Sequence, residues 1–167
     1  MAGLLIFTLN LMPDGFMPDL MASGLRPDLM ASRATAAEAP LVTDPNTGLA
    51  ISGFDPVAYF VDGRAEIGRP AFELSRDGEV WRFANAGNLA AFAEHAEVYR
   101  PRFGGYDPVA IAGDRSVAGH PMFWALVSER LYLFYSAANR EAFLADPGHV
   151  LQMAERRWPA VERTIAR

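Results

Sequence analysis

The feature that most constrains this chain is an internal repeat. The hexapeptide GFDPVA at residues 53–58 returns as GYDPVA at residues 105–110, which is 52 positions later. Further matches follow at an offset of 51: GRPAF with GHPMF, VWRF with LYLF, Asn88 with Asn139, and Phe92 with Phe143. Matches that keep their order and register over this length indicate a duplicated structural unit. We therefore expect both copies to fold in the same way.

Each copy predicts a turn, a short strand and a β-hairpin. The Asp-Pro pair opens the turn, because proline fixes its own φ and disfavours helix in the residue before it. Asp77-Gly78 then supplies the residues that a tight hairpin turn prefers, and Glu129-Arg130 stands at the equivalent place. The predicted strands are 57–61, 71–75 and 79–84 in the first copy, and 109–112, 122–128 and 131–135 in the second.

A capped helix is predicted after each hairpin. Asn85 and Ser136 stand where N-cap residues belong, since their side chains can accept hydrogen bonds from the first free amides. The helices should cover about residues 86–95 and 137–145. We expect the aromatic residues of both copies to form one shared core, made of Phe72, Trp81, Phe83, Phe92, Phe123, Tyr132, Phe134 and Phe143.

One more helix is predicted at the end of the chain. Asp146-Pro147 is an N-cap followed by a first-turn proline, which is a common way for a helix to begin. Trp158-Pro159 should end this helix near Arg157, because the residue before a proline is biased away from helical geometry.

Together these elements predict an α+β fold. A lone hairpin with one helix is too small to be stable by itself, so the two copies should pack together. We expect two tandem β-hairpin-plus-helix units packed into one compact, pseudo-symmetric domain. The predicted boundaries are 1–40 for a leader, 41–103 for the first unit, and 104–167 for the second unit with its C-terminal helix.

The leader favours export. Its apolar run at residues 2–12 is too short to cross a bilayer, which needs about 20 residues, but it is similar to the core of a secretory signal. Residues 34–36 (ATA) are small enough for cleavage, although no positive charge precedes the run. We therefore expect a periplasmic or secreted protein, or a cytoplasmic one if the leader is not a signal.

Composition narrows the chemistry that this chain can carry out. It has no cysteine, and all 15 positive side chains are arginine. Thiolate catalysis, disulfides and cysteine-ligated metals are therefore excluded, and so is Schiff-base chemistry on a lysine. The net charge is −5 and there is no basic run, so we expect no nucleic-acid partner.

Several stretches of the chain resemble YHS domains. They are GFDPVAYF (53–60), WRFANAGN (81–88), GGY (104–106) and LYLFYSAANREAFLADP (131–147). Their order is similar to that of exported bacterial YHS proteins, and the match covers about residues 48–159. The resemblance implies a small α+β fold that is often attached to metal-handling systems, especially copper-related ones.

The resemblance also implies where a metal site would lie. In metal-binding members, cysteine follows the Asp-Pro-Val turn and recurs at the junction of hairpin and helix. The matching residues here are Ala58, Ala84, Asn88, Ala110, Tyr135 and Asn139. Exported relatives commonly carry histidine after the Ala-Tyr pair and cysteine after Gly-Gly-Tyr, where this chain has Phe60 and Asp107. The resemblance therefore supports the fold more than it supports a metal.

Two acidic residues are candidates for acid–base catalysis or for binding a cation. Asp55 and Asp107 occupy equivalent places in the repeat, and as a pair they could act as acid and base or hold a hard cation. The alternative is that each carboxylate caps its own turn by accepting backbone hydrogen bonds. We favour the capping role, because a position that recurs in both copies is more simply explained by the fold.

His120 and three aromatic residues complete the candidate ligand site. His120 lies on a loop and could bind a metal with Asp107, which gives copper as the alternative cofactor to none. Tyr59, Tyr106 and Trp124 could line a pocket for a flat ligand, although such residues more often belong to a core. Tyr106, Asp107 and His120 could also form an acid–base group.

These observations favour a non-catalytic binding or scaffold protein that acts on an unidentified protein or small molecule. The alternatives are a metal-handling protein with histidine, aspartate and leader methionine ligands, and a small acid–base enzyme. The edge strands of the two hairpins also make a dimer conceivable.

Overall fold

A computed structural model describes residues 40–166 of the chain. Apart from Pro40, the predicted leader (1–40) lies outside the described residues, and so do all of its methionines. The helices are Ala58–Val61 (α1), Ala86–Tyr99 (α2), Pro108–Ile111 (α3), Ala137–Ala145 (α4) and Pro147–Ile165 (α5). The strands are Arg69–Arg76 (β1), Glu79–Phe83 (β2), His120–Val127 (β3) and Arg130–Phe134 (β4). This mixture of helix and antiparallel strand is consistent with the predicted α+β class.

The strands form two separate antiparallel hairpins within the described part of the chain, β1 with β2 and β3 with β4. Each hairpin carries a register shift, which lies before Glu73 in the first and before Trp124 in the second. The first hairpin turns at Asp77-Gly78 as predicted. The second turns at Ser128-Glu129, one residue earlier than predicted, with both residues at positive φ.

A glycine precedes each hairpin because the chain passes very close to the paired strand. A Cβ atom on Gly68 would lie 2.5 Å from the carbonyl carbon of Arg82. The equivalent atom on Gly119 would lie 2.6 Å from the Cβ atom of Leu133. Both distances are shorter than a carbon–carbon contact allows, so these two positions accept only glycine.

The predicted short strands after the Asp-Pro turns are wrong. Residues 58–61 and 108–111 form single helical turns, α1 and α3. The side chains of Asp55 and Asp107 accept hydrogen bonds from the amides two and three residues ahead, which is the geometry of a helix cap. A short apolar run is compatible with either structure, and here the cap decides.

The capped helices after the hairpins are confirmed. Asn85 accepts a hydrogen bond from the Asn88 amide at 2.9 Å, and Ser136 accepts one from the Asn139 amide at 3.2 Å. Helix α2 continues past the predicted end to Tyr99, with a non-helical residue inside it.

The predicted end of the last helix is wrong. Helix α5 begins at Pro147 as expected but runs through Pro159 to Ile165. Val161 is buried and Ile165 packs against the same group of apolar residues. Burial of these side chains offsets the hydrogen bond that Pro159 cannot donate.

The expected shared core is also wrong, because the buried residues form two clusters. The first cluster includes Trp81, Phe83 and Phe92, with Phe72 packed against it. The second includes Tyr132, Phe134 and Phe143, with Phe123 packed against it. The two clusters are joined by β4, which contributes side chains to both of them.

Strand β4 has two apolar faces. Its residues Leu131 and Leu133 belong to the first cluster, whereas Tyr132 and Phe134 belong to the second. Alternate residues of a strand point to opposite faces, so the second hairpin forms a layer between the two clusters. Among residues 40–166, every helix is too short or too polar to pass through a lipid bilayer.

Candidate functional site

Asp55 is completely buried and its carboxylate accepts four hydrogen bonds. Oδ1 accepts from the amides of Val57 at 2.8 Å and Ala58 at 3.3 Å. Oδ2 accepts from the amide of Ala84 at 2.8 Å and from the Asn88 side chain at 2.7 Å. This one side chain therefore connects the Asp-Pro turn, the end of β2 and the first turn of α2.

Asp107 is also completely buried and makes the corresponding contacts. Oδ1 accepts from the amides of Val109 at 2.8 Å and Ala110 at 3.4 Å. Oδ2 accepts from the amide of Tyr135 at 2.8 Å and from the Asn139 side chain at 2.6 Å. The turn, the end of β4 and the first turn of α4 are joined in the same way.

These contacts fill the acceptor capacity of both carboxylates. A carboxylate has about four lone-pair positions, and each of the two aspartates accepts four hydrogen bonds. Every donor to Asp55 lies in the first repeat (41–103), and every donor to Asp107 lies in the second (104–167). The arrangement is that of two separate structural caps, which was the favoured interpretation of the sequence.

The donors Asn88 and Asn139 were not predicted as functional residues. Both donate to a buried carboxylate from the first turn of the helix that follows the hairpin. The signal that could have identified them is their register, since each lies 32 or 33 residues after its aspartate. An aspartate and an asparagine that recur in both repeats at nearly the same spacing indicate that the two side chains form a hydrogen bond.

Tyr59 and Trp124 are brought together by the fold. Their rings meet edge to face with centroids 5.2 Å apart, and the Tyr59 hydroxyl donates to the carbonyl of Pro121 at 3.0 Å. Burial, and secondarily the negative charge of Asp55, raise the pKa of Tyr59 well above its usual value. Tyr59 is therefore a neutral contact between the two halves of the chain.

Tyr106, Asp107 and His120 do not form a hydrogen-bonded group among the described residues. Tyr106 is half-buried against Trp158, with ring centroids 6.0 Å apart, and burial raises the pKa of its hydroxyl. His120 is exposed, and its Nδ1 accepts from the Met122 amide at 3.2 Å. None of the four donors to Asp107 comes from Tyr106 or His120.

The structure also contains a cleft that the sequence did not indicate. It has a volume of about 590 Å³ and none of the six predicted site residues lines it. Its walls include the linker between the two repeats, the end of α2, the start of β4 and α5. The side chains that define its chemistry are Glu97, Arg102, Phe103, Arg130, Glu155 and Trp158.

In residues 40–166 there is no group of three or more histidine and acidic side chains placed to hold a metal ion. Comparison of the chain with protein-family models, with curated protein sequences and with solved structures finds no match in any of the three.

Proposed function

We propose that this chain is an exported, non-catalytic binding protein built from two tandem YHS-like units, in which the family's metal ligands have been replaced. The observation that carries the proposal is the pair of buried carboxylates. Each accepts four hydrogen bonds from its own half, so each serves the fold and has no free lone pair to offer a metal or a substrate.

The correspondence of the two halves supports the tandem arrangement. The donors to Asp55 and Asp107 match one for one, and both hairpins shift register at equivalent residues. The residue before each aspartate also forms an isolated bridge to a residue just before the hairpin, Phe54 with Ile67 and Tyr106 with Ala118. A duplicated unit accounts for all of these contacts together.

The replacement of the ligands is supported by what the substituted residues do. Asn88 and Asn139 donate to the buried aspartates, and the amides of Ala84 and Tyr135 do the same. At the positions where the family resemblance places cysteine, this chain uses hydrogen bonds to hold the same elements together. A bound metal is not needed to connect hairpin and helix.

Metal content tests this proposal directly. The full-length chain is expressed in medium supplemented with copper and zinc, purified without chelators, and analysed for bound metal by mass spectrometry. We expect far less than one metal ion per chain. Near-stoichiometric copper that is lost in His120→Ala would contradict the proposal and favour the metal-handling alternative, with Gln152→Ala as an exposed control on α5.

A further inference from the structure

We infer that the cleft between the two repeats binds a zwitterionic ligand with a flat apolar side chain, of the chemical class of the aromatic amino acids. The inference deepens the proposed function, since it names the ligand class of a binding protein. It is carried by an aromatic wall and by two opposite pairs of charges around one cavity of about 590 Å³.

The aromatic wall consists of Phe103 and Trp158. Their rings meet edge to face with centroids 5.5 Å apart, and both residues line the cleft. Phe103 has a φ of 54°, in the left-handed region that residues with a bulky side chain rarely adopt. Ile51, the equivalent residue of the first repeat, also has a positive φ of 42°, so this backbone geometry belongs to the repeated fold and positions Phe103 at the cleft.

The arginines that line the cleft differ in whether a carboxylate of the protein already pairs with them. Arg100 forms ion pairs with Asp77 and Glu79 at 3.1 and 3.3 Å and lies over the Trp81 ring. Its charge is therefore already paired with carboxylates of the protein. Arg130 donates to the carbonyl of Glu97 at 3.2 Å and, within the described residues, has no carboxylate at ion-pair distance.

Arg102 is the third arginine that lines this cleft. Its side chain is 46% exposed, and its only carboxylate neighbour in the described chain is Glu155 at 3.8 Å. Guanidinium groups present planar sets of donors that match a carboxylate, so Arg102 and Arg130 suit the acid group of a ligand.

The acidic residues supply the complementary charge. Glu97 and Glu155 line the same cleft with side chains 72% and 60% exposed, and their ion-pair contacts are long: Glu97 lies 4.0 Å from His95, and Glu155 lies 3.8 Å from Arg102. Arg100 also lines the cleft, but Asp77 and Glu79 pair with it; the other two arginines and the two glutamates balance in charge, which disfavours a simple anion. A ligand that carries both an ammonium and a carboxylate satisfies both pairs, and its ring can pack on Phe103 and Trp158.

Calorimetric titration of the full-length chain tests the inference with three matched compounds. L-tryptophan has both charges, indole-3-propionate lacks the ammonium, and tryptamine lacks the carboxylate. We expect L-tryptophan to bind, and each of the other two to bind at least about tenfold more weakly, because each loses one charge-assisted contact.

Two variants assign the contacts. Arg130→Gln should weaken L-tryptophan by about tenfold and leave tryptamine unchanged, whereas Glu155→Gln should weaken L-tryptophan and tryptamine but not indole-3-propionate. Arg69→Gln, on the exposed start of β1, is the matched control and should change nothing.

The inference is overturned if millimolar L-tryptophan gives no binding heat, or if Arg130→Gln binds it as the unchanged protein does. Circular dichroism of each variant confirms that it is folded. Failure here in a protein free of metal overturns the ligand class alone, because the proposed function is judged by the separate metal measurement.

Discussion

Asp55 and Asp107 show how one buried side chain can connect three elements of a fold. An ionised carboxylate is costly to bury unless its lone pairs are satisfied. Here each carboxylate accepts two amides from its own turn, one from the end of a strand and one from an asparagine side chain. The hydrogen bonds to Asp55 are buried, whereas three of the four to Asp107 are partly buried.

The two aspartates should therefore be equally important for stability. In Asp55→Asn and Asp107→Asn, an amide NH₂ group replaces an oxygen that accepts hydrogen bonds, so it faces N–H donors that lose their acceptor. Each substitution should lower the free energy of unfolding by about 3 kcal/mol. Asp62→Asn, at an exposed position, is the control and should change it by less than about 0.5 kcal/mol. Urea unfolding measures all three. Unchanged stability in either of the first two variants would contradict the structural role.

Residue patterns in the sequence predicted much of this site, but not its contacts. The Asp-Pro turns, the N-caps and the capping role of the aspartates were visible because they depend on neighbours within a few residues. The partners Asn88 and Asn139 lie more than 30 positions away. The cleft was not predicted, because Arg102, Arg130 and Trp158 come together only through tertiary packing.

The secondary-structure elements also divide into those that local residue patterns predict and those that such patterns do not determine. Both hairpins and the helices after them were predicted, since turn residues and caps are local signals. The turns after Asp55 and Asp107 were predicted as strands, because a short apolar run does not distinguish strand from helix. Helix α5 was predicted to end near Arg157, because proline biases the residue before it away from helix, whereas the burial of Val161 that favours a longer helix depends on tertiary packing.

Helix α5 offers a test of this competition between proline and burial. Pro159 is exposed and cannot donate a helical hydrogen bond, so Pro159→Ala should raise the free energy of unfolding by about 1 kcal/mol or more. Val161 is buried beyond it, and Val161→Ala should lower the same quantity by about 1 to 2 kcal/mol. Thermal unfolding measures both. If neither substitution changed the free energy of unfolding, the result would indicate that the helix ends at Trp158.

At the scale of the whole molecule, the important feature is the position of β4 between two clusters. The run LYLF is apolar at every position, which is typical of a strand that is buried on both faces. The expected single core was wrong, because alternate residues of β4 face different clusters. The cleft follows from the same arrangement, since its walls come from both repeats and from the linker between them.

If β4 makes the two halves one folding unit, they must unfold together. In a urea titration followed by two-dimensional NMR, the amide signals of Trp81 and Phe143 represent the first and second clusters. We predict that both signals are lost at one urea midpoint, and that Leu133→Ala lowers both midpoints equally, although its side chain belongs to the first cluster alone. Separate midpoints, with one half still native while the other is unfolded, would contradict this.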